Sequence, residues 1–403
     1  MNSELDRTVA EITPAIVELR HELHEHPEIR FEEHWTSDRI ARYLEITGVP
    51  FQRGYAKGTG IVATLEGSGP KTVALRADMD ALEIQEETGL PYASKIPNRM
   101  HACGHDGHSA ILCGVVQALA RHRDQLNGTV RFIFQPGEEV AAGGRYMVEE
   151  GAVEGVDAIF ALHGWPTLPL GTIGVRSGCM MASAQDFYID VRGKGCHGAD
   201  PASGVDPVVI AAHITTALQS IVSREIDPWE SGVVTVGQIE AGTTTNIIPE
   251  TAQLRGTLRS LNAQTADTLR QGIRRIAEHT AQAHRAHADV SFGQSVYPAV
   301  YNDPAMTDLV RETARPLLGA ENVREITHPF MGAEDFSFYL DEVPGSYIWL
   351  GVNPSDSKPY PDLHNPRYNF HDDAVPKGMR LMANIALRFL AQSAVAGEQA
   401  IHA

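Results

Sequence analysis

Residues 107–121, GHSAILCGVVQALAR, and the run Thr129–Gln135, TVRFIFQ, are the stretch on which the fold turns. The first repeats apolar side chains at helical spacing and predicts a helix with a buried face; the second predicts a strand. A helix at about 143–150 then leads to a further strand, Ala158–His163. Upstream, Gly60–Leu65 and Thr72–Arg76 are β-type runs joined by Gly-Ser-Gly-Pro, which reads as a hairpin turn. Residues 4–26 and 35–47 alternate polar and apolar positions as amphipathic helices do. Strands alternating with helices predict an α/β domain whose central sheet is mostly parallel and flanked by helices.

From about residue 184 the pattern changes. AQDFYIDVRG, SGVVTVGQIEAG, TAQLRGTLRS and ADVSFGQSVYPAV read as strands, separated by helices at 205–223 and 263–285. That order predicts an inserted α+β unit with an antiparallel sheet over 184–298. Helices return at 304–318 and 374–392, with the strand Ser346–Gly351 between them, so the first domain is expected to consist of 1–183 and 299–403. The tail after about 393 is expected to fray.

A chain of 403 residues suits two domains. Its formal charge of −18 excludes a general attraction to nucleic acid or to anionic lipid. Any anionic substrate must therefore meet locally placed cations. The opening MNSELDRTVAEITPAIVELRHELHEH has no apolar core typical of a signal peptide, and no apolar run approaches the ~18 residues of a membrane span. Cys103, Cys113, Cys179 and Cys196 lack the paired spacing of a disulfide scaffold, so a reducing, cytoplasmic setting is expected.

Several motifs fail on inspection. HELHEH (21–26) invites a zinc reading, but a helical His-Glu-x-x-His site needs histidine at 25, where Glu25 stands. The polar face of a surface helix accounts for it better. GSGPKT (67–72) lacks the spacing of a phosphate loop. No Gly-x-Gly-x-x-Gly follows a strand and no Gly-x-Ser-x-Gly occurs, which removes nucleotide cofactors and serine hydrolysis.

Other motifs hold. MHACGHDGH (100–108) brings Cys103, His105 and His108 together just before a helix, with Asp106 nearby, a natural nest for a borderline-soft divalent ion. FIFQPGEE (132–139) ends a strand with Pro-Gly and two adjacent carboxylates, which repel unless a cation or proton sits between them. One would bind metal and the other move protons. IFALHGW places His163 at the end of a third strand, DLHNPRYNF places His364 on a loop, and LRADMDAL places Asp78 and Asp80 after another strand. Ligand-type residues thus follow several strands, at the edge where open α/β sheets bind ligands.

With these motifs in hand, the chain resembles the aminoacylase and glutamate-carboxypeptidase superfamily of co-catalytic metallopeptidases. Within that superfamily it is similar to the branch containing hippurate hydrolases, N-acyl-amino-acid amidohydrolases and auxin-conjugate hydrolases. The resemblance runs from LRHELHEHPEIRFEEHWT through RADMDALEI, HACGHDGH, PGEE and LHG to MGAEDFSFYL and LHNPRYNF. It implies two divalent ions per chain (manganese, zinc, nickel or cobalt) held by Cys103, His105, Glu139, His163 and His364. Glu138 is implied as general base and acid, and Asp80 as the aspartate orienting a ligand. Asp78 stands where many relatives carry a metal-binding histidine, which leaves the bridging ligand open. His108 is not a ligand in the family pattern, leaving it to support a ligand or pack the helix. In the inserted unit, which resembles the family's satellite or dimerisation domain, the resemblance assigns His197 to a neighbouring subunit's site and Asn246 and Arg259 to substrate binding. The implied reaction is hydrolysis of an N-acyl amino acid, N-aroyl or N-acetyl, by a homodimer or higher homo-oligomer. A di- or tripeptidase, an N-acetyl-diaminopimelate-type deacetylase, and a non-catalytic metal-binding relative are the competing readings.

Overall fold

Continuous apolar runs such as Val73–Leu75, Phe132–Phe134 and Ala158–Leu162 leave no polar face, so their strands must be covered on both sides. The computed structural model, which describes residues 3–294, 296–355 and 359–392, places them in an eight-stranded sheet. The tail expected to fray lies outside the described residues. The strands are β1 (Phe51–Tyr55), β2 (Gly60–Leu65), β3 (Thr72–Asp78), β4 (Thr129–Gln135), β5 (Ala158–Pro169), β6 (Ile173–Val175), β7 (Val323–Glu325) and β8 (Gly345–Asn353), in the order β1-β2-β4-β3-β5-β8-β6-β7. β4, β3, β5 and β8 run parallel. Antiparallel pairs lie toward both edges, β1 with β2, β2 with β4, and β6 with β8.

The Gly-Ser-Gly-Pro segment does not close a hairpin. β4 lies between β2 and β3, and the segment instead bonds to the chain leading into β4, Ser68 N donating to Leu126 O at 3.0 Å. β5 also runs past its expected end, so His163 sits within the strand.

Three helices carry much of the cover. On α1 (Ser3–Glu25), Leu5, Val9, Ile12, Ile16, Leu19 and Leu23 recur at three- and four-residue intervals and are all buried. Each such side chain contributes roughly 1.5–3 kcal/mol over leaving it exposed. α2 (His34–Thr47) buries Ile40 and Leu44. α3 (His105–Arg121) is buried on nearly every face, so its first turn is held rigidly.

The chain divides into two compact units, Met1–Gly178 with Tyr301–Thr327 and Asp335–Ala403, and Cys179–Val300 with His328–Glu334. The second unit departs from the expected 184–298 at both ends, its main segment ending at Val300, and gains a further stretch. The second unit begins at Cys179, and it takes in His328–Glu334, because Phe330 N donates to Met180 O and Ala182 N to Phe330 O and Gly332 O. Its sheet is antiparallel, ordered Gly232–Ala241, Thr251–Ser260, Ser183–Arg192, His287–Phe292. Helices Pro207–Arg224 and Ala263–Ala283 bury Ile210, Ile214, Leu218, Leu269 and Ile273 with Phe187, Ile189 and Leu254 of the sheet. The last strand stops at Phe292 rather than continuing to 300; Gly293 and Pro298 follow, neither a good ladder residue.

Candidate metal centre

Two glycines in the left-handed region set up the site within the first unit. Gly104 (φ 87°) precedes His105 at the start of α3, and Gly137 (φ 65°) precedes Glu138 and Glu139 at the start of a short helical turn. Both conformations are costly for a side-chain-bearing residue, and both deliver a donor at a helix N-terminus.

The structure brings the implied ligands together. Cys103, His105 and His163 place their donor atoms within 4.8 Å of one another; so do Cys103, Glu139 and His364, and so do His105, Glu138 and Glu139. These triads share members, so the donors form one continuous group. Cys103 Sγ lies 3.3 Å from His163 Nε2, and His364 Nε2 lies 3.3 Å from Glu139 Oε1. His364, on its loop with φ 63°, is fixed by its backbone N–H donating to Ala102 O at 2.9 Å.

Asp80 holds two of these groups at once. Its Oδ1 faces His105 Nδ1 at 3.2 Å and its Oδ2 accepts from Glu139 N at 3.0 Å. A histidine bonded to a carboxylate through Nδ1 presents Nε2 outward, as metal-binding imidazoles do. His105 Nε2 is buried and has no hydrogen-bond partner among the described residues.

Charge explains what the cluster wants. Burial alone would lower the His105 pKa, but Asp78, Asp80 and Glu139 raise it to about 10. Burial, with Glu139 and Glu138, pushes the Cys103 thiol well above its ordinary range. Burial holds His163 well below its usual value and keeps it neutral. Such a site draws in a positive charge. A divalent cation would turn the thiol into a thiolate ligand and displace the His105 proton. The mixed sulfur, nitrogen and oxygen donors therefore fit a pair of divalent ions of intermediate softness.

Asp106 does not join the cluster. One residue on from His105 around the helix, it points to α1, where Arg20 Nη1 donates to its Oδ2 at 3.0 Å and His24 Nδ1 lies 2.9 Å away. This corrects the surface-helix reading of HELHEH. His24 is buried and also lies 3.3 Å from Glu86 Oε1, while His21 meets Asp372 and stacks on Tyr92. The sequence signal was present in the i, i+4 spacing of Arg20 and His24 beside the apolar stripe. Glu33, also unforeseen, accepts from Gly137 N at 2.9 Å and from Thr59 Oγ1 at 3.1 Å, fixing the Pro-Gly turn.

His197, Asn246 and Arg259 belong to the second unit. His197 and Asn246 are both exposed on neighbouring segments; Ile247 pairs with His197, and Gly198 N donates to Asn246 O at 2.8 Å. Arg259 is half-buried on Thr251–Ser260, where it donates to Thr257 Oγ1 and, at 3.1 Å, to Leu258 O.

A cluster of soft and hard donors, buried except for the part-exposed Glu139 and the exposed His364, is the arrangement that fits a metal-dependent enzyme of this fold. The chain belongs to peptidase family M20/M25/M40, whose model matches residues 74–388. It is 39% identical to an N-acetylcysteine deacetylase of Bacillus subtilis, over 92% of this chain and 96% of that protein. It is 38% identical to IAA-amino acid hydrolase ILR1-like 2 of Arabidopsis thaliana, over 96% of this chain and 88% of the other. The crystal structure of the Bacillus subtilis YXEP protein, a dinuclear metal binding peptidase of the M20 family, superposes with a TM-score of 0.82 at 34% identity, covering 94% of this chain and 99% of that one. The protein is thus an enzyme, a hydrolase of the amidohydrolase and peptidase type. No helix among the described residues is long and apolar enough to cross a membrane.

Proposed function

We propose that the protein hydrolyses the amide bond of N-acyl amino acids, N-acetyl or N-aroyl, with Glu138 as general base and acid. The observation that carries this reading is the placement of Glu138 beside Glu139 within the donor group, buried and one residue from the nearest carboxylate ligand. Cys103, His105, Glu139, His163 and His364 would hold two divalent ions, with manganese, zinc, nickel and cobalt all suited to that donor set. When bound, such ions polarise a carbonyl and lower the pKa of water at the site.

Glu138 takes the proton of the attacking water and returns it to the departing amine, a contribution of roughly 10²–10⁴ in rate. Asp80 keeps His105 and Glu139 in register during the reaction. Arg259 and Asn246 bind the carboxylate of the amino-acid part, for which a planar guanidinium is the best-matched side chain. A local cation there lets an anionic substrate approach a chain of formal charge −18. His197 supplies a hydrogen bond to the developing oxyanion from a neighbouring subunit, and the exposed outer strand Gly232–Ala241 provides an edge for that association.

The likeness to an N-acetylcysteine deacetylase and to an IAA-amino acid hydrolase favours acetyl and indoleacetyl groups, and hippurate represents the aroyl class. A panel of benzoyl-, acetyl- and indoleacetyl-amino acids with dipeptides tests the reading. Turnover of at least one acylated amino acid well above the dipeptides supports it; a metal-loaded enzyme that cleaves only dipeptides overturns it in favour of a peptidase.

A further inference from the structure

His108 is excluded from the implied ligand set, yet it is 1% exposed and both of its ring nitrogens are engaged. Gly164 N–H can only donate, and it reaches His108 Nε2 at 2.7 Å. Nε2 must therefore carry a lone pair. The ring proton belongs on Nδ1, which faces Asp78 Oδ1, also at 2.7 Å. A neutral imidazole with this one tautomer satisfies both contacts.

Each end of that bridge is anchored. Asp78 is fully buried and receives Arg76 Nη1 at 2.7 Å, while Arg76 also donates to Gln135 Oε1 and Asp335 Oδ1, both at 2.8 Å. At the other end, His108 grips the peptide that joins His163 to Gly164. The Gly164 carbonyl in turn accepts from His163 Nδ1 at 2.8 Å, which leaves His163 Nε2 facing Cys103 Sγ. The rings of His108 and His163 lie 4.6 Å apart.

We propose that His108 is a positioning residue that carries the rigidity of the Arg76–Asp78 pair on β3 to His163 on β5, through the Gly164 backbone, and so fixes the ring of His163 beside Cys103. The donors of Asp78, His105 and His108 also lie within 4.8 Å of one another, which would suit a metal. His108 could serve there only by breaking a buried hydrogen bond, and Asp78 already faces Arg76. Its work is therefore to orient a donor. The inference rests on the metal assignment made above.

Two variants separate the ends of the bridge. Asparagine can place an amide N–H where Nδ1–H was, keeping Asp78 but abandoning Gly164. Glutamine can place its amide oxygen near the Nε2 position, keeping Gly164. The probe is cobalt(II), titrated into metal-free wild type, His108→Asn and His108→Gln, with affinity and the thiolate-to-cobalt absorption band both recorded. His108→Asn should lose on the order of 10–100-fold in affinity at the site that includes His163 and shift that band, as expected when a partner orienting a ligand is removed. His108→Gln should recover most of both. The idea is overturned if His108→Asn keeps wild-type affinity and spectrum, or if His108→Gln is as impaired. Should either variant fail to fold, ¹⁵N spectra of the wild-type imidazoles decide: the Nδ1–H tautomer at His108 is required, and an Nε2–H ring or a doubly protonated one refutes the bridge. A wild type without a thiolate-to-cobalt band overturns the metal assignment itself and this role with it; a normal band that His108→Asn leaves unmoved overturns the role of His108 alone.

Discussion

In the first unit Cys103, His105 and His163 are buried and held from behind while His364 is exposed, whereas in the second unit His197 and Asn246 stand in solvent on local contacts and Arg259 is half-buried. Cys103, His105 and His163 are each no more than 7% exposed, and His105 and His163 each have an anchored second nitrogen. His197 and Asn246, by contrast, are exposed; the ring of His197 accepts only from Ala199 N, at 3.0 Å, among its described contacts. The difference follows from what each set must do. Metal donors lose affinity when they wander by a fraction of an ångström, so their order is built into the fold. Groups that recognise a substrate can be ordered by the substrate itself.

If that contrast is right, damage to the first set should abolish chemistry or metal binding, and damage to the second should alter recognition. Glu138→Gln has the largest expected effect: kcat should fall by at least ~10²–10⁴-fold, as for loss of a positioned acid–base group, with metal content unchanged. Retained turnover would remove Glu138 from its role. Asp80→Asn comes next. Loss of the charge behind His105 should weaken metal binding on the order of 10–100-fold, read by competition with a chelator; wild-type affinity would show that Asp80 does not matter to the donors.

Arg259→Ala should act on recognition instead. It should raise KM on the order of tenfold or more for substrates with a free carboxylate, the scale of a charged hydrogen bond, and leave esterified analogues nearly unaffected. Equal loss on both would break the comparison.

The smallest effect concerns pH and the support of the metal loop. Burial would lower the His24 pKa, but Asp106 raises it to about 9, against an ordinary value of 6.5. The folded state thus holds a proton that the unfolded chain gives up. His24's contribution is complete below pH 6.5 and disappears as pH rises through about 9. Tm should therefore fall between pH 7 and pH 10, and the slope should flatten in His24→Gln. An unchanged slope in the variant would place the titration elsewhere.

Much of this arrangement was readable from short motifs, because the donors lie next to features with strong local rules. The Pro-Gly before Glu138 marks the end of a strand, the apolar runs mark strands, and chemistry-bearing residues follow them. What escaped was set by contacts between distant segments. Asp106 looked like a ligand beside His105, but one step around a helix turns it toward Arg20 and His24, 86 and 82 residues away in sequence. The β2–β3 hairpin failed because β4, more than fifty residues downstream, takes the place between them. Segment 328–334 joins the second unit through backbone bonds to Met180 and Ala182, which no local pattern announces.

The most direct test of the central assignment is metal stoichiometry. Wild type, Cys103→Ser and Glu139→Ala would be loaded with cobalt or manganese, dialysed, and assayed for metal by mass spectrometry. Two ions per chain in the wild type, with a clear loss in each variant and none in an exposed-site control such as His287→Gln, is the expected result. One ion or none in the wild type, or full occupancy in Glu139→Ala, would contradict a paired-ion centre built from these donors.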